Sequence, residues 1–224
     1  MKLSSNTTMV LKNFATINQN LVIKEGSELL TMSSMKNIVA KATVEENFPK
    51  EFAIYDLNEF LASLSIFKSP VLEFEEQYLT IKEEDQPHKK LTYFYSDPSV
   101  VQSPTKTITM PSEEVKFHLD MNKLLEMKRA AGVIGSPDMV LQKSSGNSSL
   151  LVKDKKNDTA NNYSSDIKTD GDGEYKFFFK VENLKLFDGD YDVKISSKNI
   201  SHFKNDKSNI EYWIALEPES TYSN

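Results

Sequence analysis

A short strand–cap–helix unit recurs along the chain and limits the folds that the chain can adopt. In residues 52–67, FAIYDLNEFLASLSIF, the alternating start predicts a strand, and Asp56 is placed to cap the helix that follows. An apolar face at helical spacing comes next, formed by Leu57, Phe60, Leu61 and Leu64. The sequence therefore predicts a strand, an N-cap and a short helix here.

The same unit returns further along the chain. DLNEFL at Asp56 is matched by DMNKLL at Asp120, which predicts a helix over Met121–Ala131 that ends at Gly132. A fainter copy, FFFKVENL, begins at Phe177 and predicts a helix over Glu182–Phe187. A helix from about Ser4 to Asn18, with a buried stripe of Val10, Phe14 and Ile17, supplies a fourth. Four copies favour internal duplication.

Residues 96–112, SDPSVVQSPTKTITMPS, have a different composition from the sequence on either side. Three prolines and many hydroxyl side chains predict an extended connector. We therefore expect a first domain over 1–110, including the connector from about 97, and a second over 111–224. The last segment, Pro218–Asn224, is predicted to be a mobile tail.

Composition excludes several classes of protein. The chain of 224 residues has no cysteine, which rules out disulfides, and no apolar run near the ~18 residues of a membrane span. Taken alone, the net charge of −6 argues against a nucleic-acid partner, although net charge does not describe the local charge of any one face.

No catalytic or metal-binding pattern stands out. The three histidines, His88, His118 and His202, are far apart in the sequence. Two runs of alternate carboxylates, beginning at Asp170 and Asp188, have the spacing of calcium loops but depart from the rest of that pattern. We expect no metal and no cofactor, and we expect Trp213 to lie in the core.

Basic residues recur on or beside the predicted helices. Lys12 and Lys123 are placed opposite apolar stripes, Lys128 and Arg129 follow near the end of the third helix, and Lys185 lies on the fourth. One reading is a solvated helix face, and the other is a contact surface for a polyanion. The residues alone leave both open.

Five stretches carry a resemblance to a known family: MKLSSNTTMVLKNFATIN, FAIYDLNEFLASLS, DPSVV, DGDYDVKIS and IEYWIALEPESTY. They occur at matching intervals over the whole chain, which resembles the sliding clamps of T-even-type bacteriophages. The resemblance is weakest over residues 68–90 and 143–170.

The resemblance implies an α+β DNA-clamp (processivity) fold, with two similar domains each built from two βαβββ units. Sheets would form the outside of a homotrimeric ring, and helices would line its hole around duplex DNA without reading sequence. The implied function is non-enzymatic: the ring tethers the replicative DNA polymerase, is opened by an ATP-dependent clamp loader and supports late-transcription factors. No membrane is involved, and the expected location is the cytoplasm of the bacterial host, without secretion. The alternative is a duplicated β-rich interaction scaffold that does not bind DNA.

The resemblance also assigns residues to surfaces. The expected DNA-facing residues are Lys12, Lys123, Lys128, Arg129 and Lys185. The expected partner-binding residues lie on the connector and the tail: Val100, Val101, Ile108, Pro218 and Tyr222. The subunit interface is expected at two open edge strands, Leu91–Tyr95 and Tyr163–Lys168, which carry Tyr93, Tyr163 and Ile167.

Overall fold

Two compact units make up the chain, Met1–Thr107 and Ile108–Asn224, and each is described by itself. The structure is a computed structural model that describes residues 1–104 and 108–223. The middle of the expected connector, residues 105–107, therefore lies outside the described residues.

The first unit contains two helices and two antiparallel sheets. Its elements are α1 (Ser5–Ile17), β1 (Leu21–Ile23), β2 (Gly26–Met32), β3 (Ile38–Phe48), β4 (Phe52–Ile54), α2 (Leu57–Ser65), β5 (Pro70–Phe74), β6 (Tyr78–Glu83) and β7 (Gln86–Phe94), followed by a 3-10 turn at Pro98–Val100. The sheet orders are β4-β1-β2-β3 and β5-β6-β7.

The second unit contains one α-helix and again two antiparallel sheets. Its elements are β8 (Val115–Leu119), α3 (Met121–Ile134), β9 (Asp138–Ser144), β10 (Asn147–Lys153), β11 (Tyr163–Asp166), β12 (Glu174–Lys180), a 3-10 turn (Val181–Asn183), β13 (Tyr191–Ser196), β14 (Ile200–Asn205), β15 (Ile210–Ala215) and β16 (Thr221–Ser223). The sheet orders are β8-β13-β14-β15 and β11-β10-β9-β12-β16. Within the described residues, no helix is long and apolar enough to cross a bilayer.

Each unit consists of two repeats that exchange their leading strands. In the second unit, β8 leads one repeat but pairs with β13 of the other, and β12 pairs with β9 in return. In the first unit, β4 pairs with β1. The reciprocal position is taken by Met1, whose amino group donates to the Leu72 carbonyl and whose carbonyl accepts from the Leu72 N–H, both at 2.7 Å. The α+β class and the duplicated plan are confirmed: β4–β7 and β8–β11 are complete βαβββ units, the first repeat begins with Met1 in place of a strand, and the last has a 3-10 turn in place of its helix.

Capping explains why two of the repeated units form helices. The Asp56 carboxylate accepts hydrogen bonds from the N–H groups of Asn58 and Glu59, and the Asp120 carboxylate accepts one from Lys123. The predicted end of α3 was wrong, because the helix continues through Gly132. It ends at Gly135, whose φ of 68° lies in the left-handed region that glycine adopts easily.

The predicted fourth helix is absent and only the 3-10 turn Val181–Asn183 forms there. Lys180 occupies the cap position, and an ammonium group cannot accept hydrogen bonds from free N–H groups. Its Nζ instead lies 2.7 Å from Oδ1 of Asp138. Lys185, expected on a helix, therefore lies in an irregular segment.

Two further expectations were wrong. The segment after Pro218 was predicted to be mobile, but Thr221–Ser223 forms β16 and pairs with β12. Trp213 was placed in the core, but it is half-buried on the face of β15 opposite the fully buried Tyr212. Its ring stacks on His202 with centroids 4.8 Å apart.

A carboxylate from a distant strand completes the start of α1. Glu46 on β3 is buried and accepts hydrogen bonds from the Ser4 N–H and the Thr7 hydroxyl. Burial alone would raise the pKa of Glu46, but these hydrogen bonds outweigh it and the net direction is downward. The ionised carboxylate therefore joins α1 to the sheet.

We expect Glu46→Gln to lower the free energy of unfolding of the first unit by roughly 1–3 kcal/mol at pH 7, because it removes charge-assisted hydrogen bonds. The native pKa lies below the ordinary value of 4.5, so the contribution is present above pH 4.5 and is lost as the pH falls below it. The difference between wild type and variant should shrink at acid pH. Urea unfolding with hydrogen exchange of the α1 amides measures both effects.

Glu45 provides the matched control, since it is the exposed neighbour on the other face of β3. Glu45→Gln should change stability by less than about 0.5 kcal/mol. Equal effects of the two substitutions would rule out the proposed cap.

Candidate functional site

The exposed face of α1 presents a single cation. Val10, Leu11, Phe14 and Ile17 are buried, whereas Lys12 is exposed on the opposite side with Ser5, Met9 and Thr16. Among the residues that the structure describes, Lys12 has no ion-pair partner. Its ammonium group is therefore available to an external anion.

The sequence predicts Lys123 opposite the buried stripe of α3. In the structure the residue lies on a flank of the helix instead. Its ammonium group donates to the Ser165 hydroxyl on β11 and lies 3.2 Å from the Glu126 carboxylate. Only 22% of the side chain is exposed. The charge of Lys123 is thus largely compensated by contacts within the second unit.

Lys128 lies on the opposite flank of α3 and is half-buried. Burial lowers the pKa of Lys128, and the nearby Asp188 carboxylate only partly offsets this. Arg129 is exposed, and helical geometry places it with Asn122 on the side opposite Leu124 and Met127. Of the cations on α3, Arg129 is the one directed away from the unit.

The remaining helical surfaces add little positive charge. The exposed face of α2 carries Asn58, Glu59 and Ala62, and no cation. Lys185 is half-buried between the buried Leu184 and Leu186. Of the five expected cations, Lys12 and Arg129 are therefore the two that are exposed on helices.

The connector presents one of its two valines to solvent. Val100 is 57% exposed, whereas Val101 is only 8% exposed and packs against Val22 and Ala53 of the first unit. The expectation that Val101 contacts a partner is corrected, because its side chain is already part of a core cluster. Ile108 is half-buried.

The C-terminal segment is held to the second unit by ion pairs. Lys155 Nζ lies 2.7 Å from the Glu217 carboxylate and 2.9 Å from that of Glu219. Burial alone would lower the pKa of Lys155, but the two carboxylates raise it overall. Tyr222 of β16 stacks on Phe177 with ring centroids 6.4 Å apart. Pro218, by contrast, is exposed.

The two strands nominated for an interface, β7 and β11, lie at the ends of their sheets. Tyr93 on β7 packs against Phe60 of α2 with centroids 5.2 Å apart, and burial, with Glu59 and Asp56 nearby, raises its pKa to about 12. Tyr163 on β11 donates its hydroxyl to the Glu126 carboxylate at 2.5 Å. Ile167, just beyond β11, is half-buried.

The acidic run that begins at Asp188 serves local structure. The Asp190 carboxylate accepts a hydrogen bond from the Met121 N–H at the start of α3, and this bond is the main cause that lowers the pKa of Asp190. His118 lies 2.9 Å from Asp192 in an exposed pair. Across residues 1–104 and 108–223, no group of three or more His, Asp or Glu side chains could hold a metal ion.

Sequence reasoning missed one group of residues, the charged network around Asp138. This side chain is fully buried, accepts from Lys180 and from the Lys155 N–H, and stands beside the ion pairs of the C-terminal segment. The partners are up to 64 residues apart, so no local spacing could have indicated the network.

Each of the two units matches a model of a known protein family. Residues 2–101 match the family model described as DNA polymerase processivity factor, and residues 116–218 match the one described as gp45 sliding clamp, C terminal. The sliding clamp of Vibrio phage KVP40 is 33% identical over 97% of this chain and 99% of its own. The sliding clamp of Enterobacteria phage T4 is 29% identical over 99% of each chain.

Two solved structures with the same fold are distant from this chain in sequence. Proliferating cellular nuclear antigen from Entamoeba histolytica superposes with a TM-score of 0.68 at 12% identity, over 96% of this chain and 97% of its own. A PCNA2–PCNA3 complex from Sulfolobus tokodaii gives 0.67 at 12% identity, over 96% of each chain. At this identity the likeness shows the fold alone.

The two connector valines generate a direct test of burial. We expect Val101→Glu to destabilise the first unit by roughly 3–5 kcal/mol, because it buries an unpaired carboxylate between Val22 and Ala53. Val100→Glu, one residue earlier and exposed, should cost less than about 0.5 kcal/mol. Thermal unfolding of both variants measures the difference, and similar melting temperatures would contradict the burial of Val101.

Proposed function

The chain belongs to the sliding-clamp family of DNA polymerase processivity factors, and on that premise we propose that three copies close into a ring around duplex DNA and tether the phage replicative polymerase. The observation that carries the proposal is the match of both units to clamp family models, together with their paired βαβββ repeats. Clamps of this kind are accessory factors and not enzymes. We place the protein in the cytoplasm of the infected bacterium.

Tethering acts through effective concentration. A polymerase bound to a ring that cannot leave the DNA rebinds its template as an intramolecular event. The ring needs only sequence-independent contacts with phosphates, and these must be weak enough for it to move along the duplex.

Two exposed cations, Lys12 and Arg129, are the principal DNA-facing residues in this proposal. Lys123, Lys128 and Lys185 were nominated as well, and we assign them a secondary part because each is half-buried. Each subunit therefore offers one exposed cation on α1 and one on α3, and we expect it to bind the duplex weakly.

We expect Lys12→Ala combined with Arg129→Ala to shorten the retention of loaded rings on nicked circular DNA. The dependence of retention on salt should flatten by roughly 0.9 in log–log slope for each phosphate that the ring no longer neutralises. Lys24→Ala combined with Lys198→Ala removes the same charge from exposed turns and is the control. Equal retention of the two double variants would exclude Lys12 and Arg129 from the DNA surface.

The partner surface in this proposal includes Val100 and Ile108 of the connector and Pro218 and Tyr222 of the C-terminal segment. The polymerase would dock through apolar side chains, and the ATP-dependent clamp loader and late-transcription factors would use the same surface in turn. Two or three apolar anchors, each contributing about 1–3 kcal/mol, give an affinity modest enough for partners to exchange.

We expect Val100→Glu and Tyr222→Ala each to reduce stimulation of the phage polymerase without removing the ring from DNA. These substitutions test docking more directly than deletion of Pro218–Asn224. The deletion would break the ion pair between Glu219 and Lys155 and remove β16, the strand that pairs with β12. Asn224 itself lies outside the described residues. Primer extension on circular templates, with ring retention measured in parallel, is the assay. Full stimulation by both variants would place the docking surface elsewhere.

Oligomeric state and DNA topology separate the clamp from the alternative, a duplicated interaction scaffold without DNA. A clamp should form a trimer of about 76 kDa, three times the 25.5 kDa of the chain. It should remain on nicked circles after loading and slide off linear ends. A scaffold should do neither.

A further inference from the structure

A tight turn after β15 presents Pro218 to solvent. The Ser220 N–H donates to the Glu217 carbonyl at 3.0 Å, which closes a four-residue turn. Pro218 takes the second position of this turn, where the fixed φ of proline is favourable. Pro218 and Glu219 are both exposed. The C-terminal segment, Glu217–Ser223, consists of this turn and β16.

A single lysine binds both carboxylates of the turn. Lys155 Nζ lies 2.7 Å from the Glu217 carboxylate and 2.9 Å from that of Glu219, so the two ion pairs stand on either side of Pro218 in the sequence. The Lys155 side chain is only 9% exposed. Solvent ions screen such a partly buried pair much less than an exposed one. Lys155 is therefore placed to fix the turn that carries Pro218.

The position of Lys155 is itself fixed by Asp138. The Lys155 N–H donates to Oδ2 of Asp138 at 3.0 Å, and Oδ1 of the same carboxylate lies 2.7 Å from Lys180 Nζ. Asp138 is fully buried at the start of β9. Because both of its oxygens are bound, the carboxylate ties the Lys155 backbone to the sheet, and the lysine side chain extends from a fixed point.

The charge of this cluster depends on Lys155. Two lysines, Lys155 and Lys180, face the three carboxylates of Asp138, Glu217 and Glu219. Without Lys155 the formal charge of these groups would change from −1 to −2, and Lys180, 2.7 Å from Asp138 and 3.8 Å from Glu217, would be the cation left among them. Since Asp138 is buried in the sheet, the added repulsion would act on the turn.

The backbone contacts of the C-terminal segment are few. The Phe178 N–H donates to Ser220 Oγ at 3.0 Å, and the Phe178 carbonyl accepts from the Glu217 N–H at 2.9 Å. β16 pairs with β12 at three positions, and its residues Thr221 and Ser223 are exposed. A strand this short, with little apolar surface buried, is weakly held by its backbone alone. The ion pairs of Lys155 therefore decide how firmly the segment is seated.

We propose that Lys155 is a positioning residue for partner docking: it seats the C-terminal segment so that Pro218 and Tyr222 are presented in one arrangement. The inference rests on the proposed function, in which these two residues belong to the partner surface. Lys155 acts through the segment, since its own side chain is almost covered. If the segment were seated in only a tenth of the molecules, the apparent affinity for a partner would fall tenfold.

We expect Lys155→Met, which removes the charge and keeps a long side chain, to raise the polymerase concentration for half-maximal synthesis on loaded rings by roughly five- to twentyfold. Synthesis at saturating polymerase should change little, because excess partner binds the molecules in which the segment is seated. Lys155→Arg should restore most of the affinity, since a guanidinium group can also bind two carboxylates. Lys156→Met, at the exposed neighbouring lysine, removes the same charge and is the control.

Hydrogen exchange measures the seating of the segment without any partner. In Lys155→Met, the Phe178 amide should exchange roughly tenfold faster, because its acceptor Ser220 leaves with the segment. The Phe177 amide points to β9, since bonding direction alternates along β12, and its exchange should stay the same. Glu219→Lys sets a second ammonium group beside Lys155 at an exposed position. It should release the segment even if Lys155→Met destabilises the second unit.

The outcomes separate the role of Lys155 from the proposed function. Unchanged exchange at Phe178 in Lys155→Met and in Glu219→Lys overturns the hold of Lys155 on the segment. Faster exchange with an unchanged half-saturating polymerase concentration overturns the positioning role and leaves the ring standing. A wild-type chain that stays monomeric and does not stimulate the polymerase overturns the proposed function and the docking role with it, while exchange at Phe178 still decides whether Lys155 seats the segment.

Discussion

The exchange of leading strands between repeats is the constraint on which the rest of the structure depends. A single repeat cannot complete its sheets, because its leading strand bonds to the partner repeat: β8 to β13, and β12 to β9. Folding of each unit therefore requires contacts far apart in sequence, and the pair of repeats is the smallest piece with closed cores. Two of the helices follow from this arrangement, since the leading strands β4 and β8 each end at a capping aspartate. The Asp56 and Asp120 carboxylates then start α2 and α3 at equivalent points.

Features decided by neighbouring residues could be predicted from the sequence, whereas features decided by distant ones could not. The DLNEFL and DMNKLL units contain their own cap and apolar stripe, so strand, cap and helix were all predictable. The fourth helix was not, because Lys180 stands at the cap and its charge is bound by Asp138, 42 residues away. The burial of Val101 depends on Val22 and Ala53, to which no spacing near the connector points.

The candidate site shows the same limit. A helical projection places residues relative to the core of their own helix, and it placed Lys12 correctly. It could not show that Ser165 and Glu126 hold Lys123, or that Lys128 is half-buried near Asp188. The consequence bears on function. Charges bound within the protein contribute less to phosphate binding, so in the proposed ring the exposed cations Lys12 and Arg129 contribute most of it. Contacts with phosphates carry no sequence information, which is consistent with sliding without sequence preference.

Two open edges on one chain are a hazard for any β-rich protein, since each is a template for uncontrolled pairing. β7, with the sequence QPHKKLTYF, contains two lysines and no acidic residue, so two β7 edges repel each other. β11 contains Asp166 and no cation, so two β11 edges gain no favourable charge pairing. The subunit contact expected at these two edges would pair unlike charges, and it is heterologous, which means that it must either close into a ring or propagate as a filament. In the proposed ring, a neighbouring copy would cover an edge that is a hazard to the isolated chain.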